Sequence, residues 1–405
     1  MVMVSVARRR YALAVAFACF ITLGATSGML GVAWPSIRAA FGLPLDALVA
    51  LMIATTISFA IGSVTAGPLI ARLGIGWVLL IANVVGFVGC LGYFLAPSWW
   101  TLVAFGLLAG WTPGTIITGM NIYVAAIHSV RTMNWMHASF GLGATLGPLL
   151  MTAIVGAGLS WGWGYAVAAA VFLALALACL TVVRTMTFRG VEHADDSATT
   201  RPSLGATLRL PIVWLSVLMF LLYTGVETTA GQWTYAWFTG TRAASPYVAG
   251  VITSIFWAML TIGRVVFGAG AARIGVERLL RLCMLGAVLA AVLLLPRSLP
   301  VGLVAIALLG LSLSTIFPTL TSHTPARLGA RHAGNAISLQ TGAASVGTAA
   351  LPGLAGFVAA RAGLEALAPF LVAAAVSLLL VHQAAAALSR RQQAARALDV
   401  TAPGR

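Results

Sequence analysis

Two eight-residue stretches, GPLIARLG at 67–74 and GAGAARIG at 268–275, repeat one another at an offset of 201 residues. At that shift Ala71 meets Ala272, Arg72 meets Arg273 and Gly74 meets Gly275, while Gly24 meets Gly225 and Gly141 meets Gly342. An offset of half the chain marks two copies of one structural unit. Each stretch follows a long apolar run, and working outward from the pair the whole chain divides into such runs.

Of the 405 residues, 60% are apolar and 8% charged, whereas a soluble domain has about 45–50% and about 25%. A bilayer core about 30 Å thick takes about 20 apolar residues per helical crossing. Segments of that kind lie near 11–33, 47–70, 75–96, 100–125, 135–158, 164–184, 212–238, 246–271, 277–296, 299–321, 333–360 and 364–386, twelve in all. The expected fold is an all-α membrane protein with twelve transmembrane helices in two pseudo-symmetric six-helix bundles. The first bundle covers 1–186 and the second 211–388, with a cytoplasmic linker at 187–210 and a cytoplasmic tail at 389–405.

A formal charge of +15 could point to nucleic acid, but the distribution of the 23 arginines excludes that. With the N-terminus in the cytoplasm, Arg8, Arg9 and Arg10 and fifteen others fall on that side, eighteen in total, against Arg38, Arg242, Arg297 and Arg361 on the other. This is the positive-inside bias of an integral membrane protein, and it places both termini in the cytoplasm. The expected location is the cell membrane, the inner one in a bacterium. RRRYALAVAFACFITLGA at 8–25 shares the basic and apolar regions of a secretory signal, but with eleven more spans behind it reads as an uncleaved first helix. Cys19, Cys90, Cys179 and Cys283 all sit within apolar spans and suggest no disulfide framework.

GPLIARLG resembles the major facilitator signature Gly-x-x-x-Asp-Arg-x-Gly between spans two and three, with Gly67, Arg72 and Gly74 in place and Ala71 where the acid stands. The second copy supplies Gly268, Arg273 and Gly275. The resemblance implies the major facilitator fold and a latch at the cytoplasmic ends of the two halves, built differently here because both acids are missing. The alternative role for Arg72 and Arg273 is to set topology by charge. Further segments resemble the fucose-permease-like branch: GVAWPSIRAAFGLPLDAL at 31–48, MNIYVA at 120–125, MNWMHASFGLGATLGP at 133–148, GVETTAGQW at 225–233, LLGLSLSTIFPTLTS at 308–322 and AISLQTGAASVGTAALPGLAG at 336–356. Members of that branch often carry acids in spans one and four; Ser27 and Ile117 stand there in this chain.

Among eight acidic residues only Glu227 lies deep in a span. An ionised carboxylate there costs about 2.5–3.5 kcal/mol on insertion scales, so the group either takes up and releases a proton as water reaches it or stays protonated and fixes helix packing. Glu227 with Gly231, Gln232 and Trp233 suits a broken helix beside a cavity, with Trp233 as a ligand wall. Asn121, Tyr123, Gln232 and Gln340 are the other substrate-binding candidates. His137 reads as a structural or gating histidine, and Arg264 as an ion-pair partner of a carboxylate, a binder of an anionic substrate, or a side chain reaching for the interface. Gly141, Gly143, Gly147 and Pro148 form part of a glycine-proline motif known from drug:proton antiporters.

These readings lead to a secondary active transporter moving a small solute by alternating access, in the first instance a proton-coupled importer of a sugar or other polar metabolite. A proton-coupled efflux pump for amphipathic compounds is the alternative, and a non-transporting membrane sensor is the reading from another class. The expected partners are the lipid bilayer, a small-molecule substrate and protons, with the chain a monomer. No nucleophile-base pair, metal-ligand cluster or phosphate loop is recognisable, so no enzyme, cofactor, metal or nucleic acid is expected.

Overall fold

The structure, a computed structural model, describes residues 6–127, 130–183, 188 and 203–401. Its long helices are α1 (Val6–Phe41), α2 (Leu48–Leu73), α3 (Ile75–Leu95), α4 (Trp99–Ile127), α5 (Val130–Gly156) and α6 (Gly162–Val182) in the first half of the chain. A short α7 (Leu204–Leu208) precedes α8 (Pro211–Thr241), α9 (Pro246–Ile274), α10 (Val276–Leu293), α11 (Leu299–Leu313), α12 (Ile316–Leu328), α13 (Ala330–Ala362) and α14 (Leu367–Thr401). Most of the expected linker, and the side chains of Arg8, Arg9, Arg10 and Arg273, lie outside the described residues, and of Gly268 only its place in α9 is described.

Among the described residues eleven helical segments are long and apolar enough to cross a membrane, with α11 and α12 together forming one of them. The segment expected at 277–296 is α10, whose 18 residues carry Glu277, Arg278 and Arg281 near its start. Those charges keep it out of that apolar group. At about 1.5 Å per residue it is nonetheless about 27 Å long, close to the hydrocarbon thickness.

The repeated stretches acquire a structural meaning at their last glycine. Gly74 and Gly275 are the only residues between α2 and α3 and between α9 and α10, with φ of +83° and +84°. A one-residue reversal between long helices needs the left-handed region, which glycine enters without a Cβ penalty.

Within the first half α1 packs on α5, α2 on α4 and α3 on α6; within the second, α8 packs on α13, α9 on α11 and α10 on α14. Lipid offers little hydrophobic drive for these contacts, so small residues that let backbones approach carry them. A Cβ placed on Gly143 or Gly147 of α5 would collide with the carbonyls of Ile21 or Ala25 in α1, and one on Gly114 of α4 with that of Phe59 in α2.

The buried apolar residues fall into clusters that define a cleft. The end where α1 begins, here called the basic end, also holds Arg72, Arg131, Arg278 and Arg331. At the opposite end one continuous core joins Met29, Trp34, Leu51 and Trp161 of the first half to Trp233, Phe238 and Ala355 of the second. Toward the basic end the first half has its own core around Phe20, Ile75 and Met120, whereas in the second half the large core continues through Leu280, Leu320 and Ala385 beside a small one around Ile212 and Ala336. The halves are therefore sealed together at the far end and part toward the basic end.

Candidate functional site

Glu227 lies on α8, which runs unbroken from Pro211 to Thr241. The expectation of an opened helix around Glu227 and Trp233 is thus corrected. Gly231 serves packing instead: a Cβ there would run into the ring of Trp257 on α9. The break occurs in the tenth span, between α11 and α12 at Ser314 and Thr315. Pro318 has no N–H to offer the carbonyl four residues earlier, which is that of Ser314. Arg264 fills the gap, donating from Nε to the Ser314 oxygen over 3.2 Å.

That bond orients the guanidinium toward Glu227, with Arg264 Nη2 3.9 Å from Oε1. The other carboxylate oxygen, Oε2, accepts from the hydroxyl of Tyr223 one turn earlier on α8. The Glu227 side chain is 17% exposed and that of Arg264 33%, so the pair stands at the edge of packed protein. From the first half, His137 on α5 shares a hydrogen bond of 3.2 Å with Asn121 Oδ1 on α4. Its ring meets Phe20 edge-on at 5.7 Å, and the Arg264 charge lies within its electrostatic reach.

Four residues that the sequence scatters over spans four, five, seven and eight are thereby joined into two bonded pairs, one in each half. The acid and guanidinium come from the second half, the imidazole and amide from the first. Such a set can hold a proton on a carboxylate, exchange an ion-pair partner, and offer donors and acceptors to a polar solute.

The other candidates lie elsewhere. Trp233 is buried, and its Nε1 donates to the Pro352 carbonyl on α13 at 3.0 Å, so it pins two helices together rather than walling a cavity. Gln232 is buried where α8 meets Gly31 of α1. Gln340 accepts from Thr324 Oγ1 at 3.1 Å, joining α12 to α13 inside the second half. Tyr123 packs its ring edge-on against Phe188 at 5.7 Å. Arg72 is exposed at the end of α2 with no carboxylate within ion-pair distance among the described residues, and Gly67 has open space beside it. Gly268 is described only as a residue of α9, and the side chain of Arg273 falls outside the described residues.

Two charged groups escape sequence reading. Glu277, taken for a span-end acid, gathers Arg327 at 2.6 Å, His382 at 3.5 Å and His323 at 3.8 Å, linking α10, α12 and α14. At the other end Arg242, expected in an outer loop, is fully buried against Glu365 at 3.2 Å and stacks on Trp237 at 4.6 Å. The only sequence signal for either is that acid and base recur at matching depths of neighbouring spans, a relation that needs the packing to be known.

The family model described as Major Facilitator Superfamily matches residues 16–343 and 235–401. Among solved structures, a variant of the nucleoside transporter NupG superposes with a TM-score of 0.76 at 11% identity, covering 93% of this chain and 99% of its own. A bacterial homologue of the human lysosomal transporter Spinster, inward-facing and occupied, gives 0.74 at 15% identity over 96% and 98%. The Bypass of stop codon protein 6 of Saccharomyces cerevisiae is 24% identical over 199 residues, 43% of this chain, and the chain spans only 39% of that protein's length. A duplicated helical bundle, a cleft between its halves with one carboxylate at its edge, and a family match reaching from the first span to the last lead to one conclusion. This chain belongs to the Major Facilitator Superfamily and is an integral membrane protein with the fold of the transporters it resembles.

Proposed function

We propose that the chain is a proton-coupled importer of a small polar metabolite, in the fucose-permease-like branch, with Glu227 as the residue that carries the proton. Its basic end is the cytoplasmic one, so that both termini are inside a bacterial inner membrane, and the described conformation faces inward. The chain works as a monomer, since the cleft and its polar residues are complete within one copy.

The observation that supports this reading is the setting of Glu227. It is partly exposed at the edge of a cleft sealed on one side, hydrogen-bonded by Tyr223 and within 3.9 Å of a cation. A carboxylate held in that way changes protonation state as the water and charges around it change, which is what coupling to alternating access requires.

The test is transport by the full chain in proteoliposomes, with the solute found by a thermal-shift screen of sugars and other polar metabolites. An inward proton gradient should drive accumulation in the native protein. Glu227→Gln should abolish that accumulation while solute exchange at equilibrium continues. Accumulation at native rates by Glu227→Gln would contradict the assignment.

A further inference from the structure

The charge balance of the site says something about the solute itself. Among the described residues Arg264 has one acid within ion-pair distance, Glu227. The groups contributed by the first half are His137 and Asn121, neither of them acidic. The other titratable neighbour of Glu227 is Tyr223 on its own helix. The site therefore balances only while Glu227 is ionised. Once Glu227 takes a proton, the Arg264 guanidinium is left without a counter-charge among the described residues, and a partly buried cation then favours an anionic partner.

The geometry leaves room for a replacement. A closed arginine–carboxylate fork has N–O distances of about 2.7–2.9 Å, whereas Arg264 and Glu227 stand 3.9 Å apart. The Nε–H is occupied by the Ser314 carbonyl, which anchors the guanidinium, while the terminal nitrogen Nη2 stands 3.9 Å from Glu227. A third of the Arg264 side chain is accessible, and His137, bonded to Asn121 on the first half, lies within electrostatic reach of it.

We propose that the solute is a small oxyanion, bound by Arg264 in place of ionised Glu227, so that each anion enters together with the proton that neutralises Glu227. This rests on the proposed role of Glu227 in coupling and adds the chemical class of the substrate. The balance is simple: the carboxylate gains one proton, the guanidinium changes one anionic partner for another, and the net charge of the loaded site equals that of the empty one.

The purified full chain is tested by thermal shift and equilibrium binding with gluconate, lactate and inorganic phosphate, against glucose and glycerol as neutral counterparts. An oxyanion should bind and the neutral compounds should not, with gluconate and lactate against phosphate separating carboxylate from phosphate recognition. Anion affinity in the native protein should rise as pH falls, by up to about tenfold per pH unit for one linked proton. Glu227→Gln should bind the anion tightly at every pH. Arg264→Gln should lose it, and Arg264→Lys, which keeps the charge without the Ser314 bond, should retain weaker binding.

Neutral compounds binding as well as the acids, no binding by any oxyanion at acid pH, or native pH dependence in Glu227→Gln would each overturn the proposal. Anion binding of the expected kind without proton-driven accumulation would keep the substrate class and remove the importer reading. Proton-driven accumulation of a neutral compound alone would keep the importer and remove the substrate class.

Discussion

The two halves touch along two seams that the 201-residue repeat makes equivalent, α5 against α9 and α2 against α13, yet they are not in the same state. At the far end both are closed. On α9 a Cβ at Gly250 would strike Thr152 of α5, and on α13 a Cβ at Gly353 would come within 3.0 Å of Val49 of α2. These four residues are repeat partners, 49 with 250 and 152 with 353. Eleven residues nearer the basic end, Gly141 of α5 still presses on Thr261 of α9, whereas its partner Gly342 of α13 has open space, and Ala60 opposite is exposed. One seam stays shut through the middle of the bundle while the other has parted. The cleft thus opens asymmetrically, and the shut seam is the one beside His137 and Arg264.

The crossing of α1 and α8 is the pivot of both seams. Gly31 and Gln232 are themselves 201 apart and touch, so they mark the pseudo-twofold axis; a Cβ at Gly31 would sit 2.9 Å from the Gln232 carbonyl. Gly31→Leu should have the largest effect, about 3 kcal/mol of destabilisation, because backbone lies on both sides and cannot yield. A native melting temperature in this variant would break the assignment of the pivot. Gly141→Leu should cost about 1–2 kcal/mol, since the Thr261 side chain can turn away, and the loss is read in the same melt. Val49→Ala, which only loosens a closed contact, should cost about 1 kcal/mol or less.

Gly342→Leu sharpens the comparison most. It should leave the melt unchanged, because its space is open in this state, but slow solute exchange by obstructing closure of the α2/α13 seam. Equal melting losses in Gly141→Leu and Gly342→Leu would show that the seams are alike.

Much of this fold is legible in the sequence because a membrane allows few solutions: each apolar run must be a helix, and the repeated Gly74 and Gly275 mark equivalent reversals. The site is legible only in part. Glu227 and Arg264 stand out because charge in an apolar span is costly, and His137 with Asn121 because both are polar. The break in the tenth span is harder to read, since Pro113 of α4 lies inside an unbroken helix at the position equivalent to Ser314; the residue that matters is Pro318, four places on. Trp233 misleads because its neighbours in sequence are not its neighbours in space. The gathering of Glu277, Arg327, His323 and His382 needs three helices to converge, which no local spacing announces.

The most direct test is the distance between spin labels at positions 60 and 342, across the parted seam, in the full chain in lipid, with labels at 141 and 261 as the comparison. A transporter that alternates about the α1/α8 crossing predicts two distances at 60 and 342, the shorter one gaining population when pH and solute are changed. A single distance there, unmoved by either, would contradict the account and leave a protein with the fold of a transporter that does not move.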